Sequence, residues 1–470
     1  MRSSIKLNLV FSVLYQMLNL AVPLVTAPYV SRVLGSEGIG ANSYTSSVAS
    51  LFVMFVMLGI SNYGNREIAS LQDNRDARSV AFASIWGFQW LTGTFALAGY
   101  GFLCWISRNN TLFPLYCIQS MLILAAILDI NWYFYGVERI KVIVLRNACI
   151  KIVSVCLIFL FVKNPNDVWI YVAINAGCSL VSSIIILPFL LEDIDFHIPS
   201  LAAVLRHSKG IFILFLPVIA VSIYRTIDRI MLGQFADLEQ VGYFSNTEKL
   251  MDIPMSLVGA IALVMMPRMT ALYSSGRQDK ASSIMDMSYE LIAFLSVGMT
   301  VGLMAISQDF VPIFFGNAFY PVIALVSLFA PSIIFMSWAN VLRTQYLIPK
   351  HRDRIYVISL WIGAVTSIIA NLLLIPPYGA AGAVIGTFLA EATVAIYQTY
   401  SVRKELPFHK YFSCYAKYFI FAGIMFFAMN FARKMFAGNC LLVVFELIIG
   451  GVTYCSLSFG YLYIKKISHL

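Results

Sequence analysis

The sequence predicts an all-α polytopic membrane protein of about 14 transmembrane helices, built as two pseudo-symmetric six-helix lobes plus a C-terminal helix pair. Three observations carry that expectation. Of the 470 residues, 60% are hydrophobic and 12% charged, with a mean hydropathy of +0.81, whereas soluble domains are charged at about 25% of positions. Apolar windows of about 20 residues, the length that crosses a bilayer as helix, recur along the whole chain. Lys and Arg are unevenly distributed over alternate connectors, which marks the two sides of a membrane.

In order, the spans fall near 7–29, 41–62, 80–106, 112–135, 141–162, 168–190, 210–232, 241–267, 284–307, 320–342, 355–376, 380–401, 411–432 and 440–463. Arg2 and Lys6 lead into the first, which is too long for the apolar core of a signal peptide and lacks a small-residue cleavage site. Even-numbered connectors and both ends hold about 23 of the 32 basic residues, among them Arg66, Arg78, Arg139, Arg146, Arg206, Lys280, Arg352 and Lys465. The odd-numbered connectors hold five: Arg32, Arg108, Lys163, Arg433 and Lys434. Both termini are therefore expected in the cytoplasm. In "DINWYFYGVER", beginning at Asp129, the residues Trp132, Tyr133 and Tyr135 read as an inner aromatic belt.

What remains outside the spans is spread over short connectors, so there is no room for a soluble catalytic or nucleotide-binding domain. No G-x-x-x-x-G-K-[ST] phosphate loop occurs, and no cofactor is expected. The net charge of +9 is a topology signal and not a nucleic-acid footprint. None of the five His has metal-ligand spacing, so no metal is expected. The eight Cys mostly sit in apolar stretches as small core residues; Cys104 and Cys117 flank one outer loop and could pair.

The chain carries an internal echo. "PYVSRVLGSEGIGANS" (28–43) and "YRTIDRIMLGQFADLEQVGYFSN" (224–246) align Arg32 with Arg229, Gly35 with Gly233 and Gly40 with Gly242, and a proline precedes each, Pro23 and Pro217. About six spans separate them, an even number, which makes them parallel repeats, as in a transporter with two similar lobes and a site between them. The expected division is 1–200, 201–404 and an extra helix pair at 405–470. Chance similarity of two Gly-containing turns is the competing reading.

Charges inside the spans need a reason, since each costs about 2.5–3.5 kcal/mol at the centre of a lone membrane helix. Arg225, Asp228 and Arg229 are spaced i, i+3, i+4 and share a helix face. Facing an interior cavity, Asp228 offsets part of the positive charge and one net positive charge is left for an anion; alternatively, Arg229 snorkels to the headgroups. In "SNTEKLMDIP" (245–254), Glu248 and Asp252 lie one turn apart with Lys249 between them. Two acids this close inside a membrane rarely both stay ionised, so one is a candidate for proton uptake; a static ion-paired knot with Lys249 is the alternative. Asp129, Lys151 and Glu391 are lesser candidates. Polar positions such as Gln16, Asn19, Asn42 and Asn175 would supply weak sugar contacts.

The stretches "PLVTAPYVSRVLGSEGIG", "GNREIA", "DINWYFYGVER", "RNACIK", "FLFVKN", "RTIDRIMLGQ" and "VGYFSNTEKL" resemble the Wzx-type polysaccharide repeat-unit flippases. These belong to the multidrug/oligosaccharidyl-lipid/polysaccharide exporter superfamily. The resemblance is most specific in 23–69 and 129–250 and weak after about residue 400. It implies transport of undecaprenyl-diphosphate-linked oligosaccharide repeat units from the inner to the outer leaflet of the bacterial cytoplasmic membrane by alternating access, for O-antigen (lipopolysaccharide) or capsule synthesis. It implies Arg32, Arg225, Arg229 and Lys249 at the diphosphate. A coupling ion, H+ or Na+, would act at Asp228, Glu248, Asp252, Asp129 or Glu391. It also implies membrane lipid, a polysaccharide polymerase and chain-length proteins as partners. An ion-coupled multidrug extruder of the same superfamily is the nearest rival, though cationic drugs want acids and these charges lean basic. A membrane polysaccharide polymerase would need a substantial outer loop, and no outer connector exceeds about 15 residues; an enzyme is not expected.

Overall fold

The computed structural model describes residues 5–71, 74–195, 197–436 and 441–467; side chains are described within them except at 5–17, 19–20, 216–217, 221, 223–225 and 464–467. No strand occurs among the described residues. Among the described residues, twelve stretches are long and apolar enough to cross a membrane. One of them, the 50-residue stretch Ala21–Ser70, takes in the end of the first expected span and all of the second. The protein is thus a multi-pass helical membrane protein. Its outer surface agrees: Phe95, Phe427, Leu373 and Tyr463 are each about two-thirds or more exposed, the arrangement expected of side chains that meet lipid.

The chain divides into two compact units, Met1–Gly242 and Tyr243–Leu470. The first holds α1 (Ile5–Met57), α2 (Ile60–Ser70), α3 (Arg75–Ile106), α4 (Phe113–Ile127), α5 (Asn131–Gly136), α6 (Ile140–Phe161), α7 (Val168–Ile185), α8 (Leu187–Leu191), α9 (Leu201–Arg206) and α10 (Ser208–Phe235). Helix α11 (Leu238–Ser274) crosses the division, and the second unit continues with α12 (Gln278–Phe315), α13 (Pro321–Phe329), α14 (Ser332–Leu342), α15 (Asp353–Tyr378), α16 (Ala380–Ser401), α17 (Phe408–Met435) and α18 (Leu442–Ile467).

Local chemistry sets many of these ends. Asn74 caps α3, its side chain accepting the Ala77 N–H at 2.9 Å, with Asp76 in the first turn. Asp167 gathers the N–H groups of Lys163 and Asn164 before α7. Proline opens α4, α8 and α13, where its missing N–H would be unpaired anyway. The first outer connector, expected as a loop over about 30–40, is no loop: α1 passes through it with a single break at Gly35, whose φ of 69° suits a residue without Cβ.

The core of the first unit is aromatic. Phe82 stacks on Trp132, and Tyr133 and Phe134 are fully buried. The buried Gln89 stitches the end of α4, donating to the carbonyls of Ala126 and Asp129 and accepting from Trp132 Nε1 at 3.1 Å. The expected aromatic belt is thereby corrected: Trp132 and Tyr133 sit in this core, because Gly64 and Phe82 leave room for the indole, and only Tyr135 is exposed.

In the second unit Tyr289, Trp338, Tyr411 and Tyr415 pack as one cluster, with Trp338 Nε1 donating to Thr399 Oγ1 at 2.8 Å. The C-terminal hairpin α17–α18 docks on α12. Tyr454 Oη donates to the Phe294 carbonyl at 2.8 Å, and the ring covers Gly298. One turn of π-helix, Arg343–Leu347, follows α14.

Candidate functional site

The two copies of the internal echo lie against each other. Ser36 Oγ donates to Glu239 Oε1 at 2.8 Å. A Cβ on Gly40 would collide with the Leu238 carbonyl, and one on Gly242 with the Ser36 carbonyl. Gly233 lies under the Tyr44 ring, and Gln234 Nε2 donates to Tyr44 Oη. Gly40 and Gly242, which align in sequence, are therefore points of close backbone approach, which is a packing reason for that pair; Gly35 instead marks the break in α1 and Gly233 makes room for a ring.

This contact holds the C-terminal end of α10 on α1. Asp228, on α10, is buried at 3% exposure and Arg229 is half-buried. Arg225 lies on the same helix, but its side chain is outside the described residues. Arg32, just before the break at Gly35, is exposed.

On α11, Ser245, Asn246 and Thr247 are buried, and Lys249 Nζ donates to Asn246 Oδ1 at 2.9 Å. Glu248 is half-buried while Asp252, one turn on, is exposed, so the two acids read as a pair differ in environment. Glu391 is buried on α16. Arg32, Asp228 and Arg229 belong to the first unit; Lys249, Glu248, Asp252 and Glu391 belong to the second. Asn175, expected among the sugar contacts, is exposed and bonds the Tyr171 carbonyl one turn back. Gln16 and Asn19 have side chains outside the described residues.

Asp129 has a local structural contact. Its Oδ1 accepts the Asn131 N–H at 2.8 Å, two residues on, in the turn that precedes α5. Beside it lies a group that the charge count had assigned to a cytoplasmic connector. Arg146 is buried at 8% exposure within α6. It donates to Asn131 Oδ1 at 2.8 Å and to Asn147 Oδ1 at 2.7 Å, and its charge bears on Asp129. The following Asn147 is what makes burial tolerable.

Two further clusters escaped sequence reasoning. At one end of the second unit Tyr346 Oη donates to Glu405 Oε2 at 2.5 Å, with Arg352 at 3.0 Å from the same oxygen. At the other, Arg433 bridges Asp309 and Glu446, at 2.6 and 3.1 Å. Arg433 and Asp309 fell in outer connectors, and Glu446 went unweighed although it is the sole acid of an apolar span, itself a signal. Among the described residues no group of three or more His, Cys, Asp or Glu could hold a metal ion.

Comparison with known proteins places these features. A family model described as "Polysaccharide biosynthesis protein" matches residues 5–273. The "Putative O-antigen transporter" of Shigella dysenteriae is 23% identical over 408 residues, covering 85% of this chain and 100% of that protein. Among solved structures, the lipid II flippase MurJ in an inward closed conformation has a TM-score of 0.72 at 14% identity, over 98% of this chain and 99% of its own. An inward-facing multidrug resistance MATE family transporter gives 0.62 at 13% identity, over 83% and 94%. Those structural likenesses speak for the fold.

Proposed function

The chain belongs to the polysaccharide biosynthesis protein family, and from that premise we propose that it is a flippase for lipid-linked oligosaccharides, not an enzyme. The substrate class is a polyprenyl-diphosphate-linked repeat unit, carried from the inner to the outer leaflet of the bacterial inner membrane by alternating access, with both termini cytoplasmic. The O-antigen transporter named among its relatives supports this reading over drug export.

The observation that carries it is Asp228 buried beside half-buried Arg229 on α10, over the expected span 210–232. Charge within an apolar span is expensive, and by sequence Arg225, Asp228 and Arg229 sum to one positive charge, which a diphosphate of about two negative charges matches. Arginine supplies planar, bidentate contacts to such oxygens and lysine a point charge. Arg32, Arg225, Arg229 and Lys249 compensate the head group in this scheme, while the polyprenyl tail stays in lipid. Outward movement of negative charge is favoured by about 2.3 kcal/mol per charge per 100 mV when the cell interior is negative. Exchange of H+ or Na+ at Asp228, Glu248, Asp252 or Glu391 resets the carrier.

A binding measurement tests the head-group part. Purified protein is melted with undecaprenyl diphosphate or with the uncharged polyprenol. The diphosphate raises the melting temperature of the wild type, as any ligand that binds only the folded state does, and the polyprenol does not. The Arg225→Ala, Arg229→Ala double variant loses the shift while melting at a similar temperature unliganded. An equal shift in both proteins would remove α10 from the anion site.

A further inference from the structure

The cluster around Arg433 contains one acid too many. Each of its three nitrogens is engaged: Nε donates to Asp309 Oδ2 at 2.6 Å, Nη1 to Gln308 Oε1 at 3.0 Å and Asn430 Oδ1 at 3.2 Å, and Nη2 to the Ala305 carbonyl. Glu446 is completely buried. Its Oε1 is 3.1 Å from Arg433 Nε, but that N–H is directed at Asp309, and neither carboxyl oxygen of Glu446 accepts a hydrogen bond from a described residue. Two carboxyl groups thus share one cation inside a membrane protein.

Left ionised, the set carries one net negative charge with two desolvated, unsatisfied oxygens, the arrangement that burial penalises most. A single proton resolves it. A neutral Glu446 carboxyl becomes a donor, and the Asp309 carboxylate, which meets the same Arg433 Nε, is the acceptor beside it. The neighbouring charges on these helices stand apart from the pair. On the helices packed against α18, Lys434 is exposed, Glu290 on α12 lies about 28 Å along the helix from Asp309, and Lys417 on α17 lies about 24 Å from Arg433. A sodium ion fits less well, since it needs several oxygen ligands and Arg433 already holds the cation's place.

We propose that Asp309 and Glu446 form a proton-binding site, one proton shared across the two carboxyl groups and taken up from and released to water at the outer end of α12, α17 and α18. Protonation then decides whether Glu446 draws on Arg433 or donates to Asp309, and so how the hairpin α17–α18 is held on α12. That this proton couples to transport rests on the flippase reading; that the pair binds it does not.

Two measurements keep these apart. Infrared difference spectroscopy on reconstituted wild type, stepped in pH without substrate, is expected to show a protonated carboxyl band that disappears in one step. Glu446→Gln, which mimics the protonated shape, lacks the band, and Asp309→Asn shifts its midpoint. Identical spectra in wild type and Glu446→Gln, or a response to sodium in place of pH, overturn the proposal. Flipping of a lipid-diphosphate oligosaccharide is then timed with and without an imposed pH gradient. The acceleration by the gradient is smaller in Glu446→Gln than in the wild type; an undiminished acceleration there overturns the coupling role. A wild type that moves no substrate at all refutes the flippase reading, while the infrared result still decides the proton site.

Discussion

Gly40 and Gly242 show what one missing methyl group does. Each lies where a Cβ would strike a carbonyl of the other segment, so Gly40→Ala forces apart two backbones joined by the Ser36–Glu239 bond. Overpacking of this kind costs about 1–3 kcal/mol. Gly423, within α17 and open around its Cα, is the control: alanine there is neutral or gains about 0.5–1 kcal/mol. Paired melting curves of the two variants check this, and equal curves would contradict the contact. At the residue scale the sequence was readable where a charge breaks a hydrophobic run, as at Asp228 and Arg229. It was not readable for Arg146, whose acceptors Asn131 and Asn147 become partners only when α5 and α6 fold together. Nor did it show that Arg433, at a helix end, reaches two acids on other helices.

Helices were legible by length and apolarity, but their joints were not. A kink that uses one residue, Gly35, looks in sequence like a polar connector of some ten. The joint between α9 and α10 carries a different device. His207 Nδ1 and Tyr63 Oη are hydrogen-bonded at 2.8 Å, and Gly210 lies under the same ring, which ties the start of α10 to α2. Burial, aided by Arg206 and opposed by Glu67, pushes the His207 imidazole below its usual 6.5. A depressed histidine is neutral when folded, so the unfolded chain takes the proton first as pH falls. Stability from this joint is therefore complete above about pH 6.5 and declines as pH drops through that value toward the folded one. His207→Asn should flatten that decline in melting temperatures taken between about pH 7.5 and pH 5.5; an unchanged slope would exclude His207 as its source.

Over the whole molecule, composition and the basic-residue asymmetry were enough for a multi-pass helical membrane protein, because bilayer thickness leaves few other solutions. Within the segments 28–43 and 224–246, Gly40 and Gly242 answer to backbone contact. What the chain alone left open is which neighbours the charged groups meet, because that depends on distant helices: Arg146 lies close enough to bear on Asp129, and Glu446 is buried beside Arg433. The central claim is movement of a lipid diphosphate across the membrane. The most direct test reconstitutes the protein with a lipid-diphosphate oligosaccharide and follows the sugar's exposure to an external cleaving enzyme, with ion gradients supplied. The account predicts time-dependent exposure in wild-type vesicles, and none above protein-free vesicles for the Arg225→Ala, Arg229→Ala variant at matched protein levels. Exposure no faster in wild-type than in protein-free vesicles would contradict it.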